Sequence, residues 1–293
     1  MQPKLGVIAG GGDLPALVIQ YCLNLGRDFF VIAFEGQTDQ AVLGENVPHA
    51  WVRLGAAGTT LKLLHQADVK VLVMVGGIKK PGINDLRPDL WATKFLASTG
   101  AASLGDNSLL TALIKALELE GFRVIGVDDL LPDIISPAGV LGVVEPDKNS
   151  QLNISVARQA AISIGTQDKG QGAIAYQGKV LSVEDEDGTD AMIRRLPNIR
   201  NTKKGGVLVK VCKPGQETRA DLPTIGVSTI EIAAKAGLEG VAVQAGRALI
   251  VDINSVVSSA DQHGLFVVGI EVEAPLIYII AGEASGDLLG ARV

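Results

Sequence analysis

Five acids lie between Glu184 and Asp190, and eight cations follow them: Arg194, Arg195, Arg200, Lys203, Lys204, Lys210, Lys213 and Arg219, with Glu217 as the one acid among them. Clustered cations suit a diphosphate. Neighbouring carboxylates suit a hard cation such as Mg²⁺, which takes one or two carboxylates plus substrate phosphates and keeps several waters, one of which can act as nucleophile. Asp185, Glu186 and Asp187 sit in a continuous charge run and read better as a solvated turn. Asp190 follows Gly188-Thr189 at an expected helix start. Asp221 lies in the polar loop Gln216 to Gly226, between a strand and a helix, where functional side chains commonly gather. Helix capping competes with chemistry as the explanation of both.

A second constellation is Gly10-Gly11-Gly12, placed after a short apolar run and before Asp13-Leu14-Pro15. A glycine turn there would present backbone N–H groups and a helix N-terminus to an anion. Pro15 occupies the third glycine position of a dinucleotide fingerprint, which weakens an NAD reading, although Glu35 could serve as its ribose-reading acid. Trp91 and Phe95, four residues apart among basic residues, share one helical face. That face can dock on an anionic bilayer or pack into a core.

The elements that must carry these residues alternate. Leu5 to Ala9, Phe29 to Phe34, Val69 to Val75 and Phe122 to Val127 read as strands, separated by helical patterns that include one opening at Gly105-Asp106-Asn107-Ser108. This predicts a Rossmann-like, doubly wound parallel sheet over residues 1–133, with Gly10 to Asp13 facing Gly76 to Pro81 at its ligand crevice. Three prolines between Leu130 and Pro146 mark a linker over residues 134–150. Residues 151–273 then read as a second α/β domain with a mixed sheet, including a hairpin of Ala173 to Tyr176 and Lys179 to Glu184.

Composition agrees with that class. Val, Ile, Leu and Ala dominate while aromatics make up 4%, which suits a sheet covered by helices better than an aromatic-rich sandwich. Glycine, 35 of 293 residues, exceeds average usage and marks tight turns and close backbone approaches. The net charge of -6 argues against a general nucleic-acid binder. Two distant cysteines and three scattered histidines indicate neither a zinc site nor a disulfide framework, and point to a reducing cytoplasm. The apolar run before Asp13 is too short for a signal peptide, and no run reaches the ~18 residues of a membrane helix.

Taken in order, Gly6 to Gly12 with Leu14-Pro15, Gly105 to Leu110, Gly170 to Ala173, Gly188 to Met192, and Lys213 to Arg219 with Asp221 to Gly226 resemble the LpxI-type UDP-2,3-diacylglucosamine pyrophosphatases. The resemblance implies a cytoplasmic, Mg²⁺-dependent hydrolase of lipid A biosynthesis in a Gram-negative bacterium, working transiently at the inner-membrane surface. It would cleave UDP-2,3-diacylglucosamine to UMP and 2,3-diacylglucosamine 1-phosphate, directing water at the sugar-side phosphorus, with the substrate gripped between two domains. The family's essential acid falls on Asp221. With this resemblance, Asp221 and Asp190 become the expected metal carboxylates and Glu184 a further catalytic carboxylate. Thr189, Gln216, Arg219 and Thr224 are expected on the phosphates or substrate, and Gly11 and Gly12 on the glucosamine phosphate or lipid. Asp187, Asn107 and Lys79-Lys80-Pro81 depart from the family's usual residues, which bears on ligand geometry and not on the reaction. A homodimer is left open.

Residues 274–293, above all Ile277 to Arg292, resemble the start of lipid A disaccharide synthase, so a fused two-enzyme polypeptide is one expectation. A strand such as Leu276 to Ile280 would then lack its sheet; an ordinary terminal strand is the other reading. Two rivals remain for the whole chain: a nucleotide-sugar or dinucleotide binding protein without hydrolysis, and an NAD-dependent oxidoreductase.

Overall fold

The computed structural model describes residues 2–79, 86–100, 105–200 and 205–272. Lys80, Pro81 and the segment 274–293, including the expected strand Leu276 to Ile280, lie outside them. The first half runs β1 (Leu5–Ala9), α1 (Leu14–Leu25), β2 (Phe29–Phe34), β3 (His49–Val52), α2 (Ala57–Gln66), β4 (Val71–Val75), α3 (Leu90–Thr99), α4 (Asp106–Leu119) and β5 (Arg123–Ile125). Its five strands pair in parallel in the order β3-β2-β1-β4-β5. Successive side chains of a strand point to opposite faces. Here Leu5, Val7, Val71 and Val73 pack with Val18, Ile19 and Cys22 of α1, while Ile32, Phe34 and Leu72 pack with Leu61 and Leu64 of α2 and Ile114 and Leu117 of α4. Both faces are covered, as a doubly wound sheet requires.

The second half runs β6 (Gly139–Val140), α5 (Lys148–Gly165), β7 (Gly172–Tyr176), β8 (Lys179–Val183), α6 (Gly188–Arg200), β9 (Val207–Lys210), β10 (Thr224–Ile225), α7 (Val227–Lys235), β11 (Gly240–Gln244), β12 (Leu249–Ile250), α8 (Ile253–His263) and β13 (Phe266–Ile270). Six strands form a mixed sheet in the order β6-β13-β11-β9-β7-β8, and β10 pairs with β12 separately. The β7–β8 hairpin is antiparallel, and β9, β11 and β13 are mutually parallel. Met192, Ile193 and Leu196 of α6, Ile230 of α7 and Val256 of α8 cover one face; Ala157 and Ala161 of α5 cover the other. Each large side chain so buried stabilises the fold by roughly 2 kcal/mol. Within the stretch 134–150, Gly139 and Val140 pair with β13 and α5 starts at Lys148.

Central in its sheet, β1 lies between β2 and β4, and the chain leaves β1 and β4 on different sides. Such a switch point opens a crevice at the strands' C-terminal ends. There Gly11 N–H donates to Gly77 O at 2.8 Å and Gly77 N–H returns to Gly11 O at 3.0 Å. The approach requires glycine: a Cβ on Gly10 would stand 2.6 Å from Gly77 O, and Gly76 has φ +88. The expected facing of the two glycine turns is present as far as Lys79. Asp13 holds the N-cap position of α1, but its side chain makes no capping bond. Its carboxylate lies instead toward the second half, 3.9 Å from where a Cβ on Gly226 would be.

Candidate active site

A cavity of about 310 Å³ lies between the two sheets. One wall is the glycine crevice of the first, with Gly11, Gly12, Asp13 and Gly77. The other comes from the second half: Gln171 ahead of β7, Lys210 at the end of β9, Arg219 and Asp221 from the loop joining β9 to β10, and Thr224 at the start of β10. The sheet brings Gln171 and Lys210 together, because Gly172 and Lys210 are Cα partners in the antiparallel β7–β9 pair.

Asp221 is the carboxylate this wall presents. Its Oδ2 accepts from Gln216 Nε2 at 2.7 Å. Gln216 is itself held, its Nε2 also reaching Gln171 Oε1 at 3.2 Å and its Oε1 accepting from Lys213 N–H at 2.7 Å. Burial pushes the Asp221 carboxyl above the usual carboxylate range; Lys213, Lys210 and the Gln216 bond pull the other way, and Glu184 adds to the rise. A carboxylate poised in this manner can hold a metal ion or orient a water.

Glu184 is buried, at 8% exposure. Its Oε2 accepts from Gln171 N–H at 2.8 Å, and its Oε1 accepts from the Thr189 hydroxyl at the start of α6. Both residues thus fix the start of β7 and stand behind the cavity wall. Asp190 lies one residue further along α6, half exposed, with its carboxylate 3.5 Å from Arg194; neither it nor Glu184, Thr189 and Gln216 is among the residues lining the cavity. Arg219 does line it, but its guanidinium is engaged by Glu217 at 2.8 Å and by Glu118 of α4 at 2.7 Å. The Thr224 hydroxyl donates to Leu222 O, and its carbonyl accepts from Lys210 Nζ at 3.1 Å.

The basic run of the sequence is therefore dispersed by folding. Arg195 pairs with Asp185 and Asp187 on the surface, in keeping with the solvated-turn reading. Lys213 pairs with Asp168 at 2.8 Å. Three residues of the cavity are not singled out as site residues by sequence reasoning: Asp13, named only as the end of the glycine turn; Gln171; and Lys210, counted only within the cluster. Lys210 left a readable signal, a charge inside the apolar strand Val207-Leu208-Val209-Lys210-Val211.

The donor set can be tested against Mg²⁺. Among the described residues no group of three or more His, Cys, Asp or Glu side chains converges. The cavity instead offers Asp221 on one wall and Asp13 on the other. That pattern fits an ion held by one or two carboxylates, substrate phosphates and water, and does not fit a dedicated protein cage.

Trp91 and Phe95 stack with ring centroids 5.5 Å apart, and Trp91 Nε1 donates to Glu120 Oε1 at 2.8 Å. Trp91 also packs against the core beneath α2 and α4. None of the helices described is long and apolar enough to cross a membrane.

The family model for the LpxI N-terminal domain matches residues 4–134, and that for the LpxI C-terminal domain matches residues 137–268. The chain is 40% identical over 275 residues to UDP-2,3-diacylglucosamine pyrophosphatase LpxI of Caulobacter vibrioides, covering 92% of this chain and 98% of that protein. Among solved structures, N5-carboxyaminoimidazole synthase of Aspergillus clavatus is 14% identical, with a TM-score of 0.23, over 64% of this chain and 42% of that one. An isoflavone reductase is 12% identical, with a TM-score of 0.28, over 93% and 79%. Both scores are too low to bear on the site.

Proposed function

The chain belongs to the LpxI family, and from that membership we propose that it is a UDP-2,3-diacylglucosamine pyrophosphatase, a hydrolase of lipid A biosynthesis, acting in the cavity between its two sheets. The observation that carries the reading is the convergence of Gly11, Gly12 and Asp13 with Gln171, Lys210 and Asp221 around one cavity. Helix N-terminal backbone faces a carboxylate and a cation there, which is what a nucleotide-linked diphosphate and an attacking water need.

In the reaction, water adds to the sugar-side phosphorus and the bond from that phosphorus to the bridging oxygen breaks. UMP leaves, and 2,3-diacylglucosamine 1-phosphate remains. Asp221 orients the water or holds Mg²⁺, with its carboxylate aimed by Gln216. Mg²⁺, when bound, supplies neutralisation of diphosphate charge, and Asp221 and Asp13 are the residues that would hold it. Glu184 and Thr189 act from behind the wall by fixing Gln171, and Asp190 is an outer carboxylate at the head of α6. Arg219 and Thr224 border the phosphate path, and Gly11 and Gly12 border the glucosamine phosphate. The diacyl substrate calls for action at the cytoplasmic face of the inner membrane. We place the boundary between the two domains within residues 134–150.

The test is release of UMP from UDP-2,3-diacylglucosamine by the purified chain with Mg²⁺ and again with EDTA. Chelator-sensitive release supports the reading. Tight binding without release would instead support a nucleotide-sugar binding protein, and release indifferent to EDTA would remove the metal.

A further inference from the structure

The cations of the 194–219 cluster are not equivalent once their partners are traced. Arg194, Arg195, Lys213 and Arg219 each pair with at least one carboxylate, and the side chains of Arg200, Lys203 and Lys204 lie outside the described residues. Lys210 differs. It is 6% exposed, lines the cavity, and enters none of the ion pairs among the described residues. Its ammonium carries three hydrogens, and the bond found for it is to a neutral acceptor, Thr224 O at 3.1 Å. An ammonium withdrawn from water is costly unless it is paired and hydrogen-bonded.

Neighbouring groups do not supply the full pairing. Arg219, the other cation on the wall, is already neutralised by Glu217 and Glu118 and brings little net charge to an anion. Asp221 shares the wall and offsets part of the Lys210 charge at a distance, but the two make no direct ion pair. Across the cavity, the Gly12 backbone and the N-terminus of α1 favour an anion, while the Asp13 carboxylate beside them opposes one unless a cation neutralises it. That leaves Lys210 as the cation on the wall not already neutralised by an ion pair.

We propose that Lys210 is a phosphate-binding residue of this site, its ammonium holding a non-bridging oxygen of the substrate's diphosphate against the wall that carries Asp221. This rests on the diphosphate reading above and assigns the anchoring charge to Lys210 in place of Arg219. The carbonyl of Thr224 aims the ammonium, so the residue arrives already oriented.

The first test uses the wild-type chain. Lysines are reductively methylated with and without inorganic pyrophosphate, and each site is read by peptide mass spectrometry. Pyrophosphate should slow modification of Lys210 at least fivefold and leave the exposed Lys179 unchanged; equal rates at Lys210 would overturn the proposal. The second test measures pyrophosphate binding by calorimetry. Lys210→Met should weaken it about 10- to 100-fold, the value of a charged hydrogen bond, with near-UV circular dichroism confirming the fold. Unchanged affinity in folded Lys210→Met would also overturn it. If that variant does not fold, the protection experiment decides alone. Neither readout needs turnover: protection without UMP release from the wild type would sink the hydrolase reading and keep this site, whereas UMP release without protection would do the reverse.

Discussion

Gln216 Nε2 donates to Asp221 Oδ2 at 2.7 Å, and the same amide group reaches Gln171, so the side chain that aims the half-buried carboxylate also ties its loop to the start of β7. Replacing Gln216 with Leu would keep the bulk and remove both of these bonds together with the one its Oε1 accepts from Lys213 N–H. Turnover should fall about 10- to 100-fold, with the loss mainly in kcat, because a charge-assisted hydrogen bond to the acting group is worth roughly 1.5–3 kcal/mol. Steady-state UMP release checks this. A variant with only KM raised would show that Gln216 contacts substrate instead of aiming Asp221.

Asp221 itself should trade stability for activity. Its carboxyl is raised by burial, so the folded state holds the proton more tightly than the unfolded chain does. That contribution is fully present below the unfolded value near pH 3.9 and is lost as pH rises toward the raised folded value. At neutral pH the ionised group therefore destabilises the fold. Asp221→Asn should abolish turnover and raise Tm by about 2–5 °C at pH 7.5, with the gain vanishing toward pH 4. Thermal melts of both proteins across that range decide it; a variant less stable at pH 7.5 would contradict the sign.

How far the sequence foretold these relationships depended on how local their signals are. The glycine turn, the helix after it and the β7–β8 hairpin announced themselves, because backbone sterics and period-two patterns act within a few residues. Short edge strand β3, His49–Val52, was missed: its mixed exposure leaves no clear apolar alternation. For the site, Asp221 stood out as an acid in a polar loop between regular elements. Charge counting along the chain could not separate Lys210 from its neighbours. That separation comes from side-chain direction, since Arg195 turns to surface acids while Lys210 ends a buried strand at the cavity. Likewise, no spacing rule relates Glu184 to Gln171, whose contact depends on the fold of the hairpin.

Asn107 joins the two halves of the molecule. From α4 its Nδ2 donates to Gly215 O at 3.0 Å and its Oδ1 accepts from Glu217 N–H at 2.7 Å, so one amide group satisfies two backbone groups of the Asp221 loop. Asn107→Ala should cost about 1–3 kcal/mol in stability and lower kcat/KM roughly tenfold without disturbing either sheet. Urea unfolding and kinetics would check both numbers. Unchanged kinetics with lost stability would confine the bond to a structural role.

Arg219 provides the second bridge, and its acid sensitivity follows from its partners. The Arg219 guanidinium, bonded at Nε and Nη2, holds the Glu217 carboxyl below the usual glutamate range, while burial opposes it. A depressed folded value means stability that is present above the unfolded value near pH 4.3 and lost as pH falls through the lower folded one. Glu118 binds the same guanidinium at 2.7 Å from α4, so protonating Glu217 loosens a contact that also spans the halves. Glu217→Gln should therefore melt earlier than the wild type at pH 6, and the difference should shrink as pH drops below about 4. Parallel melts between pH 3 and pH 6 test it. A constant difference at every pH would mean that Glu217 acts through the Arg219 backbone and loop shape, not through its charge.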